Sequence, residues 1–199
     1  MTTMHRVTVL VDWDTARRTV PCQTPNVRHI EQVFEKLQFA ISHHITHRNR
    51  HDGHRIYWRI YHGWHHGKTK TKDRHMFEEY ISKATAKSIA RISFSSDYHF
   101  SGELACGSRR SPIFDTLRVD RNTGLSKQKM VDTLLVCDLL HLVRIKDSAL
   151  IIVIANDDDF APALFTAEAW NGIIIMLHNR ENTNSLLNLT GISERMTFQ

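Results

Sequence analysis

Two apolar runs in this chain end directly in clusters of carboxylates. Residues 7–11 are aliphatic apart from one threonine and are followed by Asp12 and Asp14, and the aliphatic residues 151–154 precede three aspartates at 157–159. Short apolar runs rich in β-branched residues are typical of buried strands. In an open α/β sheet, ligands bind beyond the carboxyl ends of the strands, where the strand order reverses. The pattern therefore predicts that both acidic clusters belong to one site.

Other parts of the chain show apolar residues at intervals of three and four, which is typical of amphipathic helices. One helix is predicted after Asn26, which would serve as its N-cap, and a second over about residues 74–87. A long helix that packs on the sheet is predicted from Ser126, again as N-cap, and leads into the second acid-tipped strand. A helix over about residues 160–170 follows, with Gly172 as its C-cap.

The remaining segments predict strands and turns. Residues 55–62 alternate between apolar and polar positions and are expected to form the second strand, and residues 173–177 a later one. Residues 91–120 predict short strands joined by turns, and a short helix is expected near residues 185–189. Strands that alternate with helices predict an α/β fold with a mostly parallel central sheet, in a single domain that spans residues 1–199.

The composition is that of a globular protein, since 41% of the residues are hydrophobic and 24% are charged. No apolar run approaches the ~20 residues that a membrane-spanning helix needs, and the first residues lack the apolar core of a secretory signal. We therefore expect a cytoplasmic protein that does not contact a membrane. Cys22, Cys106 and Cys137 form no CxxC pair, which predicts reduced thiols rather than a disulfide framework.

Carboxylates placed this close raise each other's pKa unless a cation lies among them. Oxygen ligands of this kind suit Mg²⁺ or Mn²⁺, which keep several waters for substrate phosphates. Asp132, in the first turn of the predicted long helix, adds a further carboxylate, whereas Asp138 lies about 120° further round that helix and is expected to act indirectly. The sequence therefore predicts one metal site that contains Asp12, Asp14, Asp132, Asp157, Asp158 and Asp159.

The alternative for these aspartates is helix capping. Asp157 or Asp158 would then serve only as the N-cap of the helix that is predicted near residue 160. Because capping needs one carboxylate and not three, the joint pattern favours the metal site.

A basic segment lies between residues 48 and 74, where eight Lys or Arg residues accompany only two Asp. Aromatic residues are interleaved with them, and single-stranded nucleic acid binds where cations contact phosphates and rings stack on bases. The alternative is a solvated basic surface without a ligand. The predicted RNA-binding residues of this segment are Arg59, Trp64, Lys68, Lys70 and Lys72. Residues expected to hold a phosphate near the positive start of the long helix are Arg109, Arg110, Arg118, Lys127 and Lys129.

Histidines are concentrated in the same region, since nine of the 14 lie between His43 and His75. A zinc site is an alternative use for this region, because four of these histidines have helix-like spacing. No cysteine accompanies them, and a helix would be interrupted near Gly53, so nucleic-acid binding is the favoured interpretation. The four residues are His43, His47, His51 and His54.

Three blocks of sequence contain the acidic residues. They are residues 7–17 with Asp12, residues 129–132 followed by Asp138, and residues 155–160. These blocks resemble the signature blocks of NYN-domain proteins of the PIN-like ribonuclease superfamily, and the resemblance covers most of the chain. It implies a three-layer α/β/α, Rossmann-like fold with an acidic metal pocket. By position, the metal ligands would be Asp12, Asp132, Asp157 and Asp159, and Lys129 would contact phosphate.

Many members of this superfamily cleave RNA, so the resemblance implies a metal-dependent endoribonuclease that cuts single-stranded RNA with Mg²⁺ or Mn²⁺. Asp14, Thr15, Asp138, Asn156 and Asp158 would then surround the metal ligands. Thr15 stands where the family often has Asn, and Asn156 where it usually has Gly. These departures leave open a second hypothesis, an RNA-binding or partner-docking module with weak catalysis, which could also pair as a homodimer.

Asp12 and Asp14 after a strand are also similar to the motif of haloacid-dehalogenase-like phosphatases, in which the first Asp is a nucleophile and the second a general acid and base. That family places Thr two residues after the second Asp, but here Thr15 follows Asp14 at once and Ala16 occupies that position. The phosphatase motif also gives no role to residues 129–132. It is therefore the weaker alternative.

Overall fold

The computed structural model describes residues 3–48, 51–101, 115–120, 122–180 and 191–198. Within them the chain forms an α/β fold around a seven-stranded, mostly parallel sheet, as its pattern predicts. The strands are β1 (Met4–Asp12), β2 (Gly53–Tyr61), β3 (His65–His66), β4 (Thr69–Lys70), β5 (Lys87–Ile89), β6 (Ile92–Phe100), β7 (Leu117–Val119), β8 (Ser126–Gln128), β9 (Leu150–Ile154), β10 (Ile174–His178) and β11 (Ser193–Arg195). The helices are α1 (Trp13–Arg17), α2 (Val27–Arg48), α3 (Lys72–Lys83), α4 (Val131–Ile145) and α5 (Ala161–Ala169).

The first strand lies in the middle of the sheet. β1 pairs in parallel with β2 on one side and with β9 on the other. From β1 the chain builds outward through β2 to β6, and it then returns to β9, beside β1, before it continues to β10 and β11. Among the described strands of this sheet, β5 at one edge runs antiparallel to its neighbour. The strand order therefore reverses between β1 and β9, where an open α/β sheet places its ligand site.

Side chains of the central strands divide between two hydrophobic clusters, because successive residues of a strand point to opposite faces. Val9 and Ile152 join one cluster, which includes the buried stripe of α2 and Phe77 of α3. Leu10 and Val153 join the other cluster, with the buried residues of α4 and α5. The sheet is thus apolar on both faces, which explains why its central strands are continuous apolar runs in the sequence.

The long helix α4 begins at Val131 and not directly after Ser126, so that predicted boundary is wrong. Ser126 lies instead in β8, which pairs with β7 as an antiparallel hairpin. Met130, the residue before the helix, has a left-handed backbone with a φ of 64°. A residue in this conformation cannot belong to a right-handed helix, so the helix starts after it.

Two other predicted helices are present with small shifts of their bounds. The helix expected over about residues 74–87 is α3, which begins two residues earlier and has Thr71 as its N-cap. Asn26 caps α2 as predicted, because its side-chain oxygen accepts a hydrogen bond from the backbone N–H of His29 at 2.9 Å.

The least regular part of the sequence contains more regular structure than its pattern indicates. Residues 91–120 were expected to form only short strands, but β6 is a strand of nine residues. The helix predicted near residues 185–189 lies outside the described residues, as do Cys106, Arg109 and Arg110. No helix in the described part of the chain is long and apolar enough to cross a membrane.

Candidate active site

Asp12 is both the last residue of β1 and the N-cap of α1. Its carboxylate accepts hydrogen bonds from the backbone N–H of Asp14 (3.1 Å) and of Thr15 (3.2 Å). The hydroxyl of Thr15 donates a third hydrogen bond to the same carboxylate at 2.6 Å. The turn from strand into helix therefore fixes the Asp12 carboxylate at the carboxyl end of the central strand, and Thr15 orients it directly.

The charged form of Asp12 is held in an unfavourable environment. Burial raises the pKa of Asp12 above its usual value, and the negative charge of Asp14 raises it further. The hydrogen bond from the Thr15 hydroxyl and the two backbone bonds oppose this effect without cancelling it. A cation beside the carboxylate would remove the penalty, because an opposite charge favours the ionised form.

Replacing Thr15 with Val should raise the pKa of Asp12 further. Valine has nearly the same shape as threonine but no hydroxyl, so Asp12 would lose the hydrogen bond that most favours its charged form. A carbon-detected NMR titration of the Asp12 carboxyl group would measure the change. Thr15→Ser keeps the hydroxyl and should titrate like the wild type. An unchanged pKa in the Val variant would show that the hydroxyl does not control this carboxylate.

The second acidic cluster follows β9 and is exposed. Asp157 caps a short 3-10 turn, Asp158–Phe160, and its side chain accepts a hydrogen bond from the backbone N–H of Asp159 at 3.0 Å. Asp158 forms an ion pair with Arg180 at 2.6 Å. The capping alternative therefore accounts for one oxygen of Asp157, and it leaves Asp159 without a structural role.

Asn156 has a different function in this turn. Its side-chain amide donates to the side-chain oxygen of Asn179, and its own oxygen accepts a hydrogen bond from the backbone N–H of Asn179 at 3.0 Å. This reciprocal pair joins the carboxyl ends of β9 and β10. Asn156 therefore shapes the turn that presents the aspartates.

Asp132 lies in the first turn of α4, close to both acidic clusters. The Asp132 side chain is exposed, but partial desolvation of its carboxyl raises its pKa, and the negative charges of four other aspartates raise it further. These four are Asp12, Asp157, Asp159 and Asp14, in order of decreasing effect. The fold thus places carboxylates from β1 and from the turn after β9 within electrostatic reach of Asp132, at the point where the strand order reverses.

Replacing Asp132 with Asn should raise the free energy of unfolding of the metal-free protein at neutral pH. The folded state raises the pKa of Asp132, so it binds the proton more tightly than the unfolded state does, and stability falls as the pH rises through the folded-state pKa. The neutral Asn escapes this loss. The difference in free energy of unfolding between the Asn variant and the wild type should vanish as the pH falls towards 3.8, the ordinary pKa of Asp. Urea unfolding in chelator at several pH values measures this, and a pH-independent difference would contradict it.

The acidic cleft is open and has a volume of about 410 Å³. Within the described residues, no three His, Cys, Asp or Glu side chains already form a closed group that could hold a metal ion. The oxygen donors nevertheless suit Mg²⁺ or Mn²⁺, because such ions use one or two carboxylates and keep several waters. The cleft is lined by Asp12, Asp14, Thr15, Arg18, Asn156, Asp157, Asp158 and Arg180, whereas the other two predicted ligands, Asp132 and Asp159, are not among its lining residues.

Asp138 has a structural role in this fold. It is almost completely buried and accepts a hydrogen bond from the Tyr61 hydroxyl at 2.7 Å. Tyr61 ends β2, so the bond ties the middle of α4 to the sheet beside the acidic cleft. Asp138 thus supports the position of Asp132 on the same helix and does not itself line the cleft.

A closed ring of five polar side chains, here called the polar ring, lies next to Asp12. The amide of Gln128 donates to Asp14 and also contacts the Nδ1 atom of His62 at 2.8 Å. The Nε2 atom of His62 lies 2.8 Å from Asp73. Arg17 completes the ring, with one nitrogen 2.5 Å from Asp14 and another 3.9 Å from Asp73.

Electrostatics within the polar ring favour the charged form of Asp73. The hydrogen bond with His62 lowers the pKa of Asp73 more than burial raises it. Because Gln128 can only donate through its amide nitrogen, Nδ1 of His62 accepts and Nε2 carries the proton that is donated to Asp73. The sequence analysis missed His62, Asp73 and Gln128 as parts of one arrangement.

The predicted RNA-binding residues are distributed over two adjacent hairpins and their surroundings. The β3–β4 and β7–β8 hairpins contact each other, since the backbone N–H of His65 donates to the Thr116 hydroxyl at 3.2 Å. Lys68, Lys72 and Lys129 are exposed, and Arg59 is half-buried on β2. Three other basic residues form ion pairs: Lys70 with Glu78, Arg118 with Asp115 and Lys127 with Asp120.

Trp64 is a core residue, and its predicted stacking on RNA is wrong. Its side chain is 1% exposed, and its indole N–H donates to the carbonyl of Ile60 at 3.1 Å. Phe77 and Phe100 pack edge-on against its ring, with centroids 5.1 and 5.0 Å away. This packing leaves no face of the ring for a base. Aromatic side chains in a basic segment can point inward as well as outward.

The histidines proposed as an alternative zinc site lie in two places. His43 and His47 lie on α2, with ring centroids 4.6 Å apart. His54 lies at the start of β2 beside His5, with ring centroids 5.7 Å apart. The described residues contain no group of three potential ligands that could hold a metal ion, so the structure gives this zinc site no support.

No family model matches the chain, and no curated protein matches it significantly. Among solved structures, the chain is similar to the crystal structure of a protein of unknown function from Vibrio parahaemolyticus. The two are 11% identical in sequence, and the alignment covers 96% of this chain and 90% of that one with a TM-score of 0.48. The resemblance to NYN-domain proteins therefore stays a prediction, and the functional argument depends on the site itself.

Proposed function

We propose that this chain is a three-layer α/β/α domain of the NYN or PIN-like type that acts as a metal-dependent endoribonuclease on single-stranded RNA. One observation carries the proposal, namely that carboxylates of β1, α1 and the turn after β9 line one cleft where the strand order reverses, with Asp132 of α4 within electrostatic reach. Asp12 ends β1, Asp157 follows β9, and Asp132 lies in the first turn of α4, where partial desolvation and then the charges of the first two raise its pKa. Helix capping does not require such a convergence, whereas a cation site does.

In this proposal Asp12, Asp132 and Asp157 hold one or two Mg²⁺ or Mn²⁺ ions, with Asp159 bound directly or through water. A divalent cation at this place supplies a Lewis acid that lowers the pKa of water and stabilises negative charge on the attacked phosphate. Thr15 orients Asp12 and favours its ionised form through its 2.6 Å hydrogen bond. No side chain has to act as a nucleophile.

The two basic hairpins would guide the RNA strand toward the carboxylates. Lys68 lies on the β3–β4 hairpin, and Lys129 follows the β7–β8 hairpin directly before α4. Both side chains are exposed, so they are free to follow a flexible phosphate backbone. Because bases would not stack on Trp64, we expect binding by this surface to depend mainly on charge and therefore to weaken with salt.

A second candidate function is an RNA-binding or partner-docking module without strong catalysis. Asp157 and Asp159 are exposed, and the described residues contain no ready-made group of three metal ligands. A site of this openness would depend on RNA or a partner to complete it. The same basic hairpins would still bind RNA.

Cleavage assays separate these functions. Purified protein is incubated with end-labelled single-stranded RNA, single-stranded DNA, structured RNA and a generic phosphomonoester, each with Mg²⁺, with Mn²⁺ and with chelator. The endoribonuclease proposal requires internal cuts in RNA that the chelator abolishes. RNA binding without cleavage by folded protein, under every metal condition, would reject the enzyme and favour the module.

The phosphomonoester arm tests the phosphatase alternative. Turnover of the phosphomonoester, with an aspartyl-phosphate trapped on Asp12, would favour that alternative over a nuclease. The phosphatase motif has Thr two residues after the second Asp, and Ala16 occupies that position here. We therefore expect neither turnover nor a trapped intermediate.

A further inference from the structure

A second cleft, of about 610 Å³, lies beside the acidic cleft and shares Asp14 with it. The end of β2, the start of α3, α1 and β8 form its walls. Its volume lies within the range of natural ligand sites, roughly 300–1,000 Å³. The charged and polar side chains that line it, besides Asp14, include Arg17, His62, Lys72, Asp73, Lys127 and Gln128.

The carboxylates of this second cleft already have partners in the polar ring. The Asp14 carboxylate forms an ion pair with Arg17 and accepts a hydrogen bond from Gln128, and the Asp73 carboxylate is hydrogen-bonded to His62. His62 is 5% exposed, so its hydrogen bonds are shielded from water and hold the ring in place. The two carboxylates therefore repel an incoming anion less than free carboxylates would.

The cations of the second cleft are more available. Lys72 is exposed and forms no ion pair with a described residue, and Lys127 is exposed with a single partner, Asp120, on its own hairpin. With Arg17, the cleft contains three cationic side chains against two carboxylates. The acidic cleft has the opposite balance, with Asp12, Asp14, Asp157 and Asp158 against Arg18 and Arg180.

We propose that the second cleft binds a phosphodiester of the substrate strand, next to the phosphodiester that enters the acidic cleft, an assignment that depends on the proposed function. Adjacent clefts of opposite charge fit a single strand with two successive phosphates. The phosphate in the acidic cleft needs a cation between it and the carboxylates, whereas the neighbouring phosphate needs direct contacts with cationic side chains. Lys72 and Lys127 contact the bound phosphate. Hydrogen bonds in the polar ring already engage Asp14 and Asp73, which reduces their competition with the phosphate for these lysines.

The test uses the full chain in chelator, so that binding is measured without cleavage. Lys72→Ala/Lys127→Ala should bind a single-stranded RNA of about a dozen nucleotides roughly 10-fold more weakly, and the slope of log affinity against log salt should fall by about 0.7, the value for one lost phosphate contact. Fluorescence anisotropy measures both quantities. The matched control is Lys83→Ala/Lys87→Ala, which removes two exposed lysines whose partners are Glu79 and Glu35, outside the cleft.

Wild-type affinity and slope in the Lys72/Lys127 variant would overturn the proposal, as would an equal loss in the control. Displacement of the RNA by inorganic phosphate, at concentrations too low to change the ionic strength, would reassign the cleft to free phosphate and also overturn it. The proposed function fails separately. If RNA binds through these lysines but is never cut, the nuclease proposal is rejected and the phosphate-binding cleft is retained. If the variant cleaves RNA with an unchanged KM, only the assignment of the cleft is rejected.

Discussion

Asp132→Asn should reduce the rate of metal-dependent RNA cleavage by roughly 10²- to 10⁴-fold. The substitution removes one negative charge from the region where Asp12, Asp157 and Asp159 converge and leaves the size of the side chain almost unchanged. Loss of a metal ligand costs several kcal/mol of charge stabilisation in the transition state, and each ~1.4 kcal/mol corresponds to a factor of ten in rate. Single-turnover cleavage of end-labelled RNA with Mn²⁺ measures the effect.

Two comparisons make this result specific. Asp147→Asn also removes one negative charge, but Asp147 pairs with Arg6 near the amino end of β1, at the other end of this strand from Asp12, so cleavage should stay near the wild-type rate. The urea experiment on Asp132→Asn, if it gives the expected gain in stability, excludes unfolding as the cause of lost activity. Full activity of Asp132→Asn in the presence of Mn²⁺ would show that α4 contributes no metal ligand, and it would contradict the proposed function.

RNA binding by Asp132→Asn should persist, because the basic hairpins do not include this residue. Retention of binding together with loss of cleavage would separate the chemical step from strand recognition. Loss of both would show that the acidic cleft contributes to binding through a bridging cation.

The sheet and the meeting of the acidic clusters could be predicted from sequence, because their signals are local. A continuous apolar run identifies a strand that is buried on both faces, and the carboxylates that follow it mark its carboxyl end. The bond between Thr15 and Asp12 could also have been foreseen, since the N-cap geometry at a strand-to-helix turn favours it.

The polar ring could not be predicted, because its members are far apart in the chain. Asp14 and Gln128 are separated by 114 positions, and a glutamine in a short strand carries no signal of its own. The start of α4 was predicted too early for a related reason. Ser126 is a good N-cap by residue type, but the left-handed conformation of Met130 decides where the helix begins.

Trp64 shows a different limit of sequence analysis. Tyrosines, tryptophans and lysines in alternation are expected both for a nucleic-acid surface and for a strand end whose aromatic residues face the core. Only the packing of Phe77 and Phe100 around the ring distinguishes the two. The composition of the segment was informative about charge and misleading about stacking.

Trp64→Ala should lower the free energy of unfolding by about 3–5 kcal/mol, the usual cost of truncating a buried large aromatic side chain. The ring fills the space between Phe77 and Phe100, and its removal leaves a cavity that the β2 end and α3 can close only in part. Trp64→Phe keeps most of the packing and should cost less, although the hydrogen bond to Ile60 is lost. Urea unfolding gives the free energy of unfolding of the wild type and of both Trp64 variants.

Trp170→Ala is the matched control, because Trp170 is 49% exposed and its loss should change stability by only about 0.5 kcal/mol. If Trp64→Ala instead kept wild-type stability and lost RNA affinity, the ring would be a stacking surface after all, and the packing described for this part of the core would be incorrect.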